Sequence, residues 1–107
     1  MEKFMFINRK TGTNPGANTS DMEEWILSLK ASGNYVSGVS VADKSEYVGE
    51  DDMIYNKSSG EANDHILRID TILAEDVDQA SMIAQGCPLV VQGLAVIEVR
   101  MIVPLIR

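Results

Sequence analysis

Apolar positions recur along this chain with two spacings, and their alternation outlines a fold before any residue suggests a chemistry. Phe4, Met5, Phe6 and Ile7 are consecutive apolar positions that read as a short strand. Neighbours on a strand point to opposite faces, so a strand apolar throughout needs cover on both. Residues 10–18 follow as a loop, by their Gly, Pro and Asn content. Ser20-Asp21-Met22-Glu23 then fits a capping box, with Ser20 at the N-cap and Glu23 reaching back. Met22, Trp25, Ile26 and Leu29 keep the spacing of one buried helix stripe, and Gly33 ends that helix. Trp25 is the expected core anchor of the stripe.

Residues 35–41 are β-like, with Val39 and Val41 on one side. The stretch 42–64 is polar and acidic, although Tyr47-Val48 and Met53-Ile54-Tyr55 suit an irregular hairpin. From His65 to Leu73 the pattern is again a strand. Leu67, Ile69, Thr71 and Leu73 share one face, and Ile66, Arg68, Asp70 and Ile72 the other. A second helix starts at Asp76, where Gln79 completes a capping-box-like pair, and Val77, Ala80, Ile83 and Ala84 form its stripe. The final strand, 96–103, sets Ile97, Val99, Met101 and Val103 on one side.

The order β-α-β-(hairpin)-β-α-β predicts one α+β domain over residues 1–107. Its plan is the ferredoxin-like split βαβ, an antiparallel sheet with two helices on one face. If Leu67 and its partners face the helices, the other face carries Arg68, Asp70, Glu98 and Arg100 among Ile66, Ile72 and Val96. A face so divided suits neither free solvent nor a dry core. A second copy's sheet stacked on it would cover the apolar part, so a homodimer is expected.

Composition narrows the partners. The formal charge is −7 with no Lys/Arg cluster, which disfavours nucleic acid and anionic membrane surfaces. No apolar run is long enough to span a bilayer. Met1-Glu2-Lys3 leads into only four apolar residues, too few for a signal peptide, so a cytoplasmic location is expected. One cysteine excludes an internal disulfide, and one cysteine with one histidine cannot close a zinc site. Glu46, Glu50, Asp51 and Asp52 lack the spacing of a calcium loop. No metal or cofactor is implied.

The candidate chemistry rests on the four charged residues of the open face. Arg68 and Arg100 could hold a carboxylate or enolate while Asp70 or Glu98 exchanges a proton, if desolvation brings its pKa toward neutrality. The same four could equally be plain ion pairs. His65, the only histidine, is the remaining catalytic candidate, as imidazole is the common general acid or base. Cys87, before Pro88 at a helix end, is expected to be a buried, inert thiol.

Glu75-Asp76-Val77-Asp78-Gln79-Ala80, then Gly86-Cys87-Pro88, then Ile97-Glu98-Val99-Arg100 together resemble the carboxyl-terminal half of the YCII-related proteins. Their DGPF branch shows an acidic D-x-x-E-A helix start leading through "cP" into E-V-R. Lys3-Phe4-Met5 resembles the family's opening strand. The Asp-Gly-Pro-Phe signature is absent, since residues 56–61 read Asn-Lys-Ser-Ser-Gly-Glu. The resemblance implies a dimeric α/β barrel of two facing ferredoxin-like sheets, with a small-molecule cleft between each sheet and its helices or loops. That plan serves small isomerases, cyclases and cofactor-free monooxygenases, and a small organic acid would suit the arginines. The alternative it leaves open is a non-catalytic regulatory or protein-interaction module, for example a partner of a sigma factor.

Overall fold

The structure, a computed structural model, describes residues 1–11, 19–42, 47–48, 54–55 and 65–105. Its strands are β1 (Glu2–Lys10), β2 (Tyr35–Ser40), β3 (Tyr47–Val48), β4 (Ile54–Tyr55), β5 (Ile66–Ala74) and β6 (Ala95–Met101). Its helices are α1 (Thr19–Ala31), α2 (Val77–Gln85) and α3 (Pro88–Val91). Four strands form one open antiparallel sheet in the order β2-β5-β1-β6. This α+β arrangement is compatible with a ferredoxin-like fold. β3 and β4 pair separately, Tyr47 with Tyr55 and Val48 with Ile54, as the hairpin pattern predicts.

The register decides which face each side chain takes. Phe4, Phe6 and Asn8 on β1 lie opposite Ile72, Asp70 and Arg68 on β5. On the other side they lie opposite Met101, Val99 and Ile97 on β6. Phe4, Phe6, Ile72 and Ala74 form one buried cluster with Leu29 of α1 and Ala80 and Ala84 of α2. The two alanines leave room for α2 to lie close on the sheet. Met22, Cys87, Leu89 and Ala95 form a second cluster. Both clusters lie on the helix-facing side of the sheet.

This register overturns the expected facing of β5. The even positions Arg68, Asp70 and Ile72 face the helices, and Ile69, Thr71 and Leu73 face away. Apolar content could not choose, because both faces of β5 are rich in aliphatic residues. The pairing skips Leu67 between Asn8–Arg68 and Arg9–Ile66. Such a bulge turns one extra side chain onto the same face, and Leu67 packs against the second cluster. A like irregularity on β2 skips Val36 between Tyr35 and Ser37.

Other boundaries move for local reasons. Helix α1 begins at Thr19, which places Ser20 in its first turn rather than at the cap. Gly33 closes it with φ +80°, as expected of a residue without Cβ. Asp76 caps α2 by accepting the Gln79 amide at 2.9 Å, while Gln79 Oε1 accepts from the Glu75 amide at 2.6 Å. Helix α3 was not anticipated. Pro88 stands at its start, where a fixed φ and a missing N–H are favourable, so this proline opens an element rather than only ending one. Val103 falls beyond β6 and is exposed. No helix among the described residues is long and apolar enough to cross a membrane.

Trp25 is only half-buried, yet it packs against both clusters and so joins them. Phe6 is fully buried at the sheet's centre. Phe6→Ala should therefore cost about 3–5 kcal/mol in urea unfolding, and Trp25→Ala less than that range. A loss at Trp25 equal to or above that at Phe6 would refute the ranking.

Candidate functional site

Asp70 sits mid-strand on β5, opposite Phe6 on β1 and Gly38 on β2, and is completely buried. Residues two apart on a strand share a face, which brings Arg68 beside it. The guanidinium grips the carboxylate with both ends of its fork, Nη2 to Oδ1 at 2.7 Å and Nε to Oδ2 at 3.0 Å. The Tyr35 hydroxyl donates to Oδ1 at 2.8 Å and Asn8 Nδ2 to Oδ2 at 3.3 Å. Asn8 Nδ2 also lies 3.4 Å from the carbonyl oxygens of Phe6 and Arg68. The Cys87 thiol points at Asn8 Oδ1 from 3.9 Å, extending the cluster toward α3.

Gly38 is the complement of this cluster. A Cβ there would lie 2.9 Å from Arg68 Nη2 and closer still to the Tyr35 hydroxyl and Asp70 Oδ1. Only the absence of a side chain lets the three groups meet over β2.

The electrostatics follow from burial and from Asp70. Burial, then the hydrogen bond to Asp70 and its negative charge, push the Tyr35 phenol up to about 12. Burial alone would lower the Arg68 pKa, but the hydrogen bond and charge of Asp70 outweigh it and raise the value. Burial pushes the Cys87 thiol up, only partly opposed by the nearby Leu89 and Val90 amides. Cys87 is thus a protonated structural thiol, as its sequence context implies.

A carboxylate offers about four acceptor positions, and Asp70 receives hydrogen bonds at four. It could take a proton from a substrate only by losing one of those partners, so this geometry does not present a general base. Tyr35 keeps its proton through the neutral range and can only donate or accept hydrogen bonds. Arg68 spends three N–H donors on Asp70 and Tyr35, with its side chain 19% exposed. Among the described residues the two donors of Nη1 have no partner.

Glu98 and Arg100 lie elsewhere. They pair across from Ile7 and Met5, on the face turned away from the helices. Arg9 donates to Glu98 Oε1 from Nε at 3.2 Å and Nη2 at 3.1 Å, and Arg100 Nε donates to Oε2. The hydrogen bonds from Arg100 and then Arg9 hold the Glu98 carboxyl below its ordinary value, which suits an ion pair better than proton exchange. The four residues expected together are therefore two separate groups on opposite faces of the sheet.

His65 precedes β5, half-buried, and its carbonyl accepts from the Lys10 amide at 2.8 Å. It is not a member of the Asp70 cluster, and its neighbour Asp64 lies outside the described residues. Asn8, Tyr35 and Arg9 were missed by sequence reasoning. A signal existed for Asn8, a polar residue continuing the Phe4, Phe6 face. For Tyr35 there was none, since a tyrosine in a strand is ordinary packing. Among the described residues no three His, Cys, Asp or Glu side chains could hold a metal ion. No family model matches the chain, and no curated protein does.

Gly38→Ala should cost about 1–3 kcal/mol by overpacking, and Tyr35→Phe about 1 kcal/mol by loss of a hydrogen bond. The double variant should lose less than their sum, because the hydroxyl is what the new methyl strikes; strict additivity in denaturant titrations would argue against the contact. Tyr35 also sets an alkaline dependence. Its pKa of about 12 lies above the unfolded value near 10, so its contribution is whole below about pH 10 and fades toward pH 12. Tyr35→Phe should flatten that part of the stability curve, and an equally steep loss in the variant would contradict the assignment.

Proposed function

We propose that this chain is a homodimeric binding protein for a small organic acid, built on the dimeric α/β-barrel plan of the YCII-related proteins. The ligand carboxylate meets Arg68 at the rim of the helix-side cluster, beside Tyr35. The observation that carries this reading is a complete charged cluster inside a small domain's core. A buried ion pair is often no more stable than well-packed apolar residues of the same volume. Its presence therefore points to a task other than stability. The two Nη1 donors of Arg68, without a partner among the described residues, provide the hydrogen bonds, while Asp70 holds the guanidinium in place and accepts the Tyr35 hydroxyl. Repulsion from the chain's net charge is screened beyond about 8 Å, so the near guanidinium governs a bound carboxylate. Binding is preferred to isomerase or cyclase chemistry because Asp70 has no free acceptor position. A cytoplasmic setting belongs to the same proposal.

The dimer part rests on the sheet's other face. Met5, Ile7, Val39, Ile69, Leu73 and Val96 lie on it by register, and Val39 and Val96 are more than half exposed. The buried residues of all three helices join clusters on the opposite side. Two such faces stacked about 10 Å apart would cover Met5, Val39, Ile69, Leu73 and Val96, with Arg9, Glu98 and Arg100 at the polar margin. The same face also favours the second reading, a regulatory module that docks a different protein there.

Light scattering after gel filtration should give a dimer, and Ile69→Glu should give a folded monomer. A monomeric parent would remove the dimer and favour the second reading. Amide shifts on adding benzoate or succinate should saturate at Tyr35, Gly38 and Arg68; shifts confined to the helices would overturn the ligand assignment.

A further inference from the structure

A cleft of about 420 Å³ opens between α1 and α3, and none of the Asp70 cluster lines it. Asp21, Glu24 and Trp25 form one wall, spaced so that they share a helix face. Pro88, Val91 and Gln92 form the other with the same spacing, and Gly86 lies between the walls. Gln92 Nε2 donates to Asp21 Oδ2 at 3.2 Å and ties the two helices together. The volume falls within the range of about 300–1,000 Å³ typical of small-molecule sites.

The lining has a consistent chemistry. Trp25, half-buried, packs against both core clusters and also lines the cleft. Val91 is 69% exposed, a large apolar residue with no cover of its own. Asp21 has an ordinary explanation, since a carboxylate in the first turn of α1 favours the helix dipole. Glu24 lies beyond that turn and has no ion-pair partner among the described residues. Among the described residues no lysine or arginine lines the cleft. An indole ring, aliphatic side chains and two carboxylates match a cation carrying hydrocarbon, and the chain's charge of −7 draws cations toward it.

We infer that this cleft binds a small alkylammonium compound, with its hydrocarbon against Trp25, Pro88 and Val91 and its charge between Asp21 and Glu24. Gly86 keeps the space open. Its φ of −84° suits any residue, and a Cβ there would meet nothing nearer than the Ile83 carbonyl oxygen at 3.5 Å and Trp25 Nε1 at 3.8 Å. A larger side chain can thus fill the cleft without straining the backbone.

Trp25 is the only tryptophan, so selective excitation of its indole reads a side chain that lines the cleft. Tetraethylammonium chloride should change that fluorescence saturably, whereas sodium chloride at equal ionic strength should not. Glu24→Gln should weaken the apparent affinity roughly three- to fivefold, as for loss of one exposed charge pair. Gly86→Leu, with unchanged circular dichroism, should abolish saturation. A non-saturable response, an equal response to benzoate, or full binding by Gly86→Leu would each overturn the inference. Carboxylate binding at Arg68 is unaffected by any of these outcomes.

Discussion

One buried carboxylate ties together three of the four strands of the main sheet. Asp70 belongs to β5, receives Tyr35 from β2 and Asn8 from β1, and is neutralised by Arg68 two residues away. The consequence is directional. Forming such a pair from hydrated ions gains little, but leaving the carboxylate buried without its partners costs several kcal/mol, on the order of 3–5. The cluster therefore acts against alternatives more than for the native state. A one-residue slip of β5 would turn Asp70 to the opposite face and strand the tyrosine, the amide and the guanidinium together.

The same cluster explains where sequence reasoning succeeded and where it failed. Element order, both long helices and the hairpin were legible because caps, glycines and helical spacing are local signals. The facing of β5 was not. Leu67, Ile69 and Leu73 are as apolar as Ile66, Ile72 and Ala74, so hydropathy favoured the set without charges. What reversed the choice was satisfaction of polar groups by residues far away in sequence, Asn8 and Tyr35. Gly38 was a quiet clue, since a glycine inside a strand often marks a close approach. Helix α3 was hidden for a different reason, because Pro88 reads as a stop after α2 as readily as a start.

With the facing settled, the two sides of the sheet divide their tasks more cleanly than expected. The helix side holds the cluster with Asp70, and the opposite side mixes Met5, Ile7, Val39, Ile69, Leu73 and Val96 with Lys3, Ser37 and Thr71 and, toward β6, Arg9, Glu98 and Arg100. That second face is as mixed as the one the sequence suggested, but Lys3 and Arg9 stand there in place of Arg68 and Asp70. Its apolar half still argues for cover, while the argument for placing chemistry there is weaker. Polar groups in the core and apolar groups outside are each the reverse of a monomer's simplest solution.

Strand β1 also shapes how the chain can reach this structure. It lies at the centre of the sheet, yet its neighbours β5 and β6 come from far along the chain; Asn8 meets Asp70 across 62 residues and Arg9 meets Glu98 across 89. Closing the longer loop adds only about 0.3 kcal/mol over the shorter one. The larger effect is kinetic. A sheet whose middle strand is made first and paired last has few local contacts to build on, so it belongs with slower-folding topologies. Until β6 arrives, one edge of a strand with four consecutive apolar residues stands open. For this chain, the interval before that last strand docks is when unwanted association is most favoured.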